Sequence, residues 1–427
     1  MKPLLQLALD LENLSRVIQI AKESIKGGAD WIEAGTPLIK SEGMEAVRAL
    51  RKNFTDFTIV ADMKTLDTGR FEVELASKSG ANIICILGMS DNDTIKEAIR
   101  AARNYGTKIM VDLMNVVDAV KRAKEVEAWG ADYICMHTSI DEQMRGKIKF
   151  DDLEKVCKAV KIPVAIAGGI NSENVVDALK AGASIIIVGG AIAKTAEPEL
   201  ATKRIKQAML KMKKIKSEIK KHGEEDLEKV FLEVSTPNIS DAMHRKGAMK
   251  GILPVKKGLK FAGKAFTVKT LDGDWAKPVE AIEKARVGEV IVIDAGGGST
   301  AIWGELATWS CKKKGIAGVV IDGAARDIDD ILKMDFPLFI RNIAANAGEP
   351  KGYGEIGCEI VCGGVVVKPG DWVIGDDSGV VVVPKENAVE IANRALDVKE
   401  KENRIREEIK RGKVLSVVME LEKWEKL

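Results

Sequence analysis

Eight short apolar runs, each followed by a charged stretch of helical spacing, constrain this chain more than any other feature. They occupy 3–10, 29–35, 58–65, 82–88, 108–114, 133–139, 163–170 and 184–192. Each is rich in Ile, Val, Leu and Ala and is largely apolar at both odd and even positions. That is the pattern of a strand buried on both faces of a parallel sheet. Between them, segments such as 92–105 and 116–129 carry apolar residues at helical spacing. Gly28, Gly80, Gly106, Gly130 and Gly182 sit just ahead of the next run, where a helix needs a residue tolerant of left-handed backbone. Eight β-α units in about 200 residues is the count and size of a small (β/α)8 TIM barrel. A doubly wound open sheet is the alternative, and the count of eight argues against it.

A chain of 427 residues exceeds one such core, so two domains are expected. Residues 1–208 are assigned to the barrel, 209–229 to a charged helical linker and 230–427 to a second, mixed α/β domain. Glu218, Glu224, Glu225 and Asp226 interrupt the basic residues of the linker, which argues against a nucleic-acid-binding arm. In 230–427, strands are expected at 288–295, 318–322, 359–368 and 379–384, with a helical tail at 385–410. The net charge of +2 gives no reason to expect a nucleic-acid partner. Six cysteines, none in a CxxC pair, point to a reduced, cytoplasmic setting without structural disulfides. Asp10 and Glu12 rule against a signal peptide, and no apolar run approaches the roughly 20 residues of a membrane span.

Catalytic groups of such barrels lie at the C-terminal ends of the strands. The polar residues placed there are Asp10, Glu33, Asp62, Lys64, Asp67, Asp112, His137 and Asp141. Asp62 and Lys64 are two apart on a strand, so both side chains are expected on one face, at the mouth. A carboxylate beside an ammonium stabilises the charged form of each. Glu33 and Asp112 add enough oxygen ligands for a Mg²⁺ that retains water and substrate ligands. Strands seven and eight end in Gly168-Gly169 and Gly189-Gly190. One such pair reads as a tight turn. Two pairs, at the loops where barrels commonly hold a phosphate, favour phosphate binding through backbone amides.

Asp62-Met63-Lys64-Thr65-Leu66-Asp67, with Glu33 in Ile-Glu-Ala-Gly-Thr-Pro and the two Gly-Gly pairs, resembles the orotidine-phosphate decarboxylase superfamily. Within it, residues 1–208 resemble 3-hexulose-6-phosphate synthase, through His137-Thr138-Ser139-Ile140-Asp141-Glu142-Gln143. The sister family of 3-keto-gulonate-6-phosphate decarboxylases carries Glu, Arg and Thr where this chain has Asp112, Ile140 and Ala167. Loss of the Arg and Thr favours the synthase over the decarboxylase. The resemblance implies an aldol addition between ribulose 5-phosphate and formaldehyde, or its reverse. It implies Mg²⁺ held by Glu33 and Asp62, Lys64 near the developing oxyanion, and a dimer in which Asp67 reaches the partner's site. His137 is the candidate for proton transfer, because imidazole titrates near neutral pH. The alternative for His137 is a buried structural imidazole.

In the second domain, Asp294-Ala-Gly-Gly-Gly-Ser-Thr-Ala-Ile-Trp-Gly304-Glu305 combines a strand, a Gly-rich turn and a helix start, an arrangement that can hold an anion. Arg326-Asp327 follows another strand. The guanidinium can grip a substrate carboxylate and the carboxylate a divalent cation, or the acids of 327–330 can serve only surface ion pairs. With Ser235-Thr-Pro-Asn-Ile-Ser-Asp241 and Pro369-Gly-Asp-Trp-Val-Ile-Gly-Asp-Asp-Ser-Gly, this region resembles the RraA-like family. That family holds regulators of ribonuclease E and aldolases acting on 4-hydroxy-4-methyl-2-oxoglutarate. Gly304, Glu305, Arg326 and Asp327 are then the substrate and metal residues, with Mg²⁺ or Mn²⁺ on Asp327. Glu305 departs from the aldolases' Asp, so a non-catalytic binding or assembly module is the other reading. The resemblance also implies a trimer or hexamer through this domain.

Overall fold

The structure is a computed structural model describing residues 3–146, 150–217, 219–419 and 421; Glu218 of the linker lies outside them. The chain divides into two compact units, Met1–Lys221 and His222–Leu427.

The first unit is a closed barrel of eight parallel strands in sequential order. They are β1 (Leu4–Leu9), β2 (Trp31–Ala34), β3 (Thr58–Thr65), β4 (Ile83–Leu87), β5 (Lys108–Asp112), β6 (Tyr133–His137), β7 (Val164–Ala167) and β8 (Ile185–Val188). Both faces are buried because strand alternation feeds two cores. Leu5, Leu7, Ile59, Ile84, Ile109 and Ile134 face outward and pack with the surrounding helices. Val60, Cys85, Met110, Cys135, Ala165 and Ile187 fill the interior. The five helix-ending glycines have positive φ, from 68° at Gly106 to 104° at Gly182.

The interior is graded along the barrel axis. Near the N-terminal ends, Trp31 and Tyr133 meet edge to face, ring centroids 5.6 Å apart. Small residues and the two cysteines follow. The next inward positions on β1, β2, β3, β5 and β6 fall to Asp10, Glu33, Asp62, Asp112 and His137, so strand parity alone gathers the charges at one end.

After the helix Pro198–Lys211 the next helical segments among the described residues are Glu224–Asp226 and Leu227–Glu233. The stretch expected as a continuous charged helix therefore breaks, at Met212, which takes left-handed backbone with φ 48°.

In the second unit a mixed sheet has the order β19-β18-β10-β11-β13-β14-β9, with β12 on β13 and β15 on β10. These strands are β9 (Leu253–Pro254), β10 (Phe261–Lys269), β11 (Val290–Asp294), β12 (Ala301–Trp303), β13 (Gly318–Ala325), β14 (Leu338–Ile343), β15 (Glu355–Ile356), β18 (Trp372–Asp376) and β19 (Gly379–Val383). The single strand expected at 359–368 is instead a hairpin of β16 (Ile360–Cys362) and β17 (Val365–Val367). Gly363 and Gly364, with φ 58° and 77°, make the turn. Adjacent positive-φ glycines reverse a chain with the twist a hairpin needs. The tail helix runs Ala388–Lys410.

Candidate active site

At the barrel mouth Asp62 and Lys64 do meet, Nζ lying 2.7 Å from Oδ2. Simple alternation is not the reason. The β3–β4 register passes from Asp62↔Cys85 to Thr65↔Ile86, so β3 bulges between them. Lys64 adopts left-handed backbone, φ 46°. A bulge re-aims a side chain at a strand end, and strained backbone concentrates at working sites. Burial opposes the Lys64 charge, but Asp62 and Asp112 outweigh it and hold the ammonium well above lysine's ordinary value.

Asp112 Oδ2 lies 3.5 Å from Lys64 Nζ and 2.7 Å from His137 Nδ1. Its Oδ1 accepts from the Met114 amide at 2.9 Å. Burial pushes the Asp112 carboxyl up, and His137, Lys64 and that amide bring it below the ordinary range. For His137, burial disfavours the charge, yet Asp112 reverses the balance and raises the imidazole above 6.5. With Nδ1 committed to Asp112, Nε2 is the nitrogen left to act. Asp112, expected as a catalytic residue and an added oxygen donor near the metal site, here bonds to His137 and lies beside Lys64.

Glu33 and Asp62 are each only 6% exposed. Burial, then Asp62, then Asp10 push the Glu33 carboxyl well up. The Asp10 side chain reaches solvent at the rim, but the protein packed around it partly desolvates the carboxyl, and this and the Asp62 charge raise it as well. The Thr36 hydroxyl lies 2.9 Å from Asp62 Oδ2 and 2.7 Å from its carbonyl oxygen. Asp62 Oδ1 is buried with no hydrogen-bond partner. Gln6, fully buried, donates from Nε2 to Glu33 Oε2. Sequence reasoning missed Gln6 and Thr36. The signal for Gln6 was an amide inside an otherwise apolar strand, Leu-Leu-Gln-Leu-Ala-Leu.

Asp112, Cys135 and His137 also bring ligand atoms within 4.8 Å of one another. Asp112 and His137 are already bonded together there, and burial pushes the Cys135 thiol far up, so it stays protonated and is a poor ligand. Gly168 and Gly169, φ 94° and 73°, follow β7. A Cβ on Gly168 would lie 2.3 Å from the Thr138 carbonyl oxygen, and one on Gly189 would lie 3.2 Å from Asp10 Oδ2. Asp67 does not join the cluster. It is exposed and accepts from its own Thr68 amide at 2.6 Å.

In the second unit Asp327 also has left-handed backbone, φ 58°. Its Oδ2 lies 3.3 Å from the Glu305 amide and 3.6 Å from Arg326 Nε. Gly304 keeps this approach open, since a Cβ there would sit 2.5 Å from that oxygen. The Glu305 carboxylate accepts from Trp309 Nε1 at 3.1 Å, on its own helix. Among the described residues, no trio of His, Cys, Asp or Glu in this unit is placed to hold a cation.

Fold and site together define a closed (β/α)8 barrel whose mouth combines buried carboxylates, a lysine and an Asp-His pair, joined to a mixed-sheet domain. Residues 3–205 match the family model described as orotidine 5'-phosphate decarboxylase / HUMPS family, and residues 236–382 match that described as RraA-like: aldolase/RraA. A 3-hexulose-6-phosphate synthase of Bacillus subtilis (strain 168) is 40% identical over 207 residues, 48% of this chain and 98% of the relative. One from Mycobacterium gastri is 36% identical over 205 residues, 48% of this chain and 99% of that one. The solved 3-hexulose-6-phosphate synthase of Salmonella typhimurium is 36% identical, with a TM-score of 0.48 over 50% of this chain and 100% of its own. The chain belongs, through its barrel, to the orotidine 5'-phosphate decarboxylase / HUMPS family and carries a second, RraA-like domain. Among the described residues no helix is long and apolar enough to cross a membrane.

Proposed function

We propose that the barrel is an aldehyde-lyase that joins formaldehyde to ribulose 5-phosphate, giving 3-hexulose 6-phosphate, or runs the reverse cleavage. The observation that carries this is the network Asp62–Lys64–Asp112–His137 at the mouth of a barrel 40% identical to such a synthase.

Three features fit a divalent cation beside this network: the unpartnered Asp62 Oδ1, the raised Glu33 carboxyl and the crowded Asp10. Hard oxygen donors of this kind suit Mg²⁺. Glu33 and Asp62 would hold it, and when bound it would polarise the substrate carbonyl. The chain's own residues do the rest. The amides around Gly168–Gly169 and Gly189–Gly190 hold the phosphate. Lys64 stabilises negative charge on oxygen as the proton leaves the carbon next to the ketone. His137 Nε2 takes that proton, the carbon bonds to formaldehyde, and the imidazolium returns the proton to the aldehyde oxygen. Asp112 orients the ring and stabilises its charged form. Ile140 and Ala167 offer no donor to a substrate carboxylate, which favours this reading over a decarboxylase.

Asp67 is proposed to serve the partner of a dimer. Leu66 and Phe71, 55% and 60% exposed, flank it as apolar surface for that contact. A mixture of Lys64→Ala and Asp67→Ala chains then recovers part of the activity each lacks. For the RraA-like domain, Arg326–Asp327 supports an oxo-acid lyase whose site is completed by a neighbouring copy in a trimer or hexamer. Pyruvate release from oxo-acid aldols tests it; if oligomers persist and Arg326→Ala changes no lyase activity, the domain is a binding or assembly module.

The main reading is tested by assaying the full chain with ribulose 5-phosphate, formaldehyde and Mg²⁺ in both directions. Absence of hexulose phosphate in one and of ribulose 5-phosphate in the other refutes it.

A further inference from the structure

The stretch after the last barrel helix does more than lead away from the barrel. Residues 213–217 lie beyond the 3–205 matched by the family model. They fold back across the loop that follows β7. The Ile215 amide donates to the Ser172 carbonyl at 2.9 Å. The Ser217 amide donates to Glu173 Oε1 at 2.8 Å. Lys214 pairs with Asp177 at 2.7 Å, on the helix Val175–Lys180. The Ile215 side chain packs against the barrel's outer core.

Ser172 and Glu173 belong to the same tight turn as the phosphate-side glycines. Asn171 Oδ1 accepts from the Glu173 amide at 2.8 Å, and Asn174 Oδ1 accepts from the Asn171 amide at 2.8 Å. Asn174 Nδ2 then donates to the Gly169 carbonyl at 2.9 Å. Bonds therefore run without a gap from the strap to Gly169. On its other side the strap borders a cavity of about 20 Å³ lined by Ser172, Ala191, Thr195 and Ser217. Ala191 directly follows Gly189–Gly190. The strap thus adjoins both glycine loops, bonded to the first and sharing this cavity with the residue that follows the second.

We propose that residues 213–217, with Glu173 as their anchor, are positioning residues for the phosphate end of the substrate. The inference rests on the reading that the two Gly-Gly loops hold that phosphate. Consecutive glycines are the most freely moving backbone in a chain, so a site built on them needs its geometry imposed from outside. Holding amides in place before binding removes an ordering cost that would otherwise reduce affinity. The strap acts on binding and leaves the Lys64–His137 chemistry alone.

The test uses two full-length variants. Glu173→Ala removes the Ser217 acceptor, and replacement of 213–217 by Gly-Ser-Gly-Ser-Gly removes the packing. Both are expected to raise KM for ribulose 5-phosphate about three- to tenfold with kcat within about twofold. Inhibition by inorganic phosphate should weaken by a similar factor, and amide exchange should accelerate at 169–174. Unchanged KM, phosphate affinity and exchange overturn the proposal. So does a loss of kcat in step with thermal stability in both variants, which marks a merely structural role. If the wild-type chain turns over no hexulose phosphate, the main functional reading fails, while phosphate affinity and amide exchange still decide the strap.

Discussion

Replacing Asp112 by Asn removes one charge from the centre of the mouth and changes little in shape. The side chain is 4% exposed, so solvent screens it weakly. Removing one member of a buried ion pair costs about 3–5 kcal/mol. Two features lower that figure here. Lys64 keeps Asp62 at 2.7 Å, and His137 can shed its proton once the carboxylate has gone. What remains is chiefly one hydrogen bond to a charged group, about 1.5–3 kcal/mol. In a unit the size of Met1–Lys221 each kcal/mol moves Tm by about 2–4 °C, so a loss of about 2 kcal/mol lowers the barrel transition by about 4–8 °C. The loss depends on pH in a fixed sense. His137 is raised above 6.5, so its contribution is complete below 6.5 and disappears as pH rises through the folded value. Asp112 is lowered below 3.8, so its contribution is complete above 3.8 and disappears as pH falls through the folded value. The gap between wild type and variant is therefore widest between those two ordinary values and narrows toward alkaline pH. Calorimetry of the full chain across that range measures it. With only three histidines, proton NMR can follow the imidazole directly, and its titration should move to lower pH in the variant. A gap that stays flat, or widens at alkaline pH, refutes the pairing argument.

Glu33→Gln should raise Tm in cation-free buffer at pH 7.5, because burial, Asp62 and Asp10 all penalise that carboxylate; the gain is about 1–2 kcal/mol. The same variant should lose the Tm rise that Mg²⁺ or Mn²⁺ gives the wild type, read by a thermal shift titration. Gln6→Leu removes the donor to Glu33 Oε2 and should weaken cation affinity about 10-fold by calorimetric titration, as loss of a ligand's supporting bond commonly does. Gly168→Ala places a Cβ 2.3 Å from the Thr138 carbonyl at φ 94° and should cost at least about 1–3 kcal/mol, with KM for the phosphosugar rising more than kcat falls.

Much of this protein was decided by local sequence. Eight two-sided apolar runs have only parallel neighbours to pair with, so the barrel and the parity that sends Glu33, Asp62, Asp112 and His137 inward follow from pattern alone. The same parity carried Gln6 inward, as an amide among apolar neighbours. Other features depended on contacts between residues distant in the chain. The bulge that aims Lys64 at Asp62 arises from register against β4. Asp112 belongs to His137 because the two side chains, 25 positions apart in the chain, converge across the paired strands β5 and β6. The hairpin at Gly363–Gly364 could have been read from its two glycines, and there the expectation of one long strand overrode a local signal. The strap at 213–217 could not. Its composition is that of a solvated basic segment, and only its return to Ser172 and Glu173 gives it a role. Periodicity fixes which face a residue takes, because that is a property of one element. Which partner it meets on that face is a property of how the elements close on one another, and that only the tertiary structure decides.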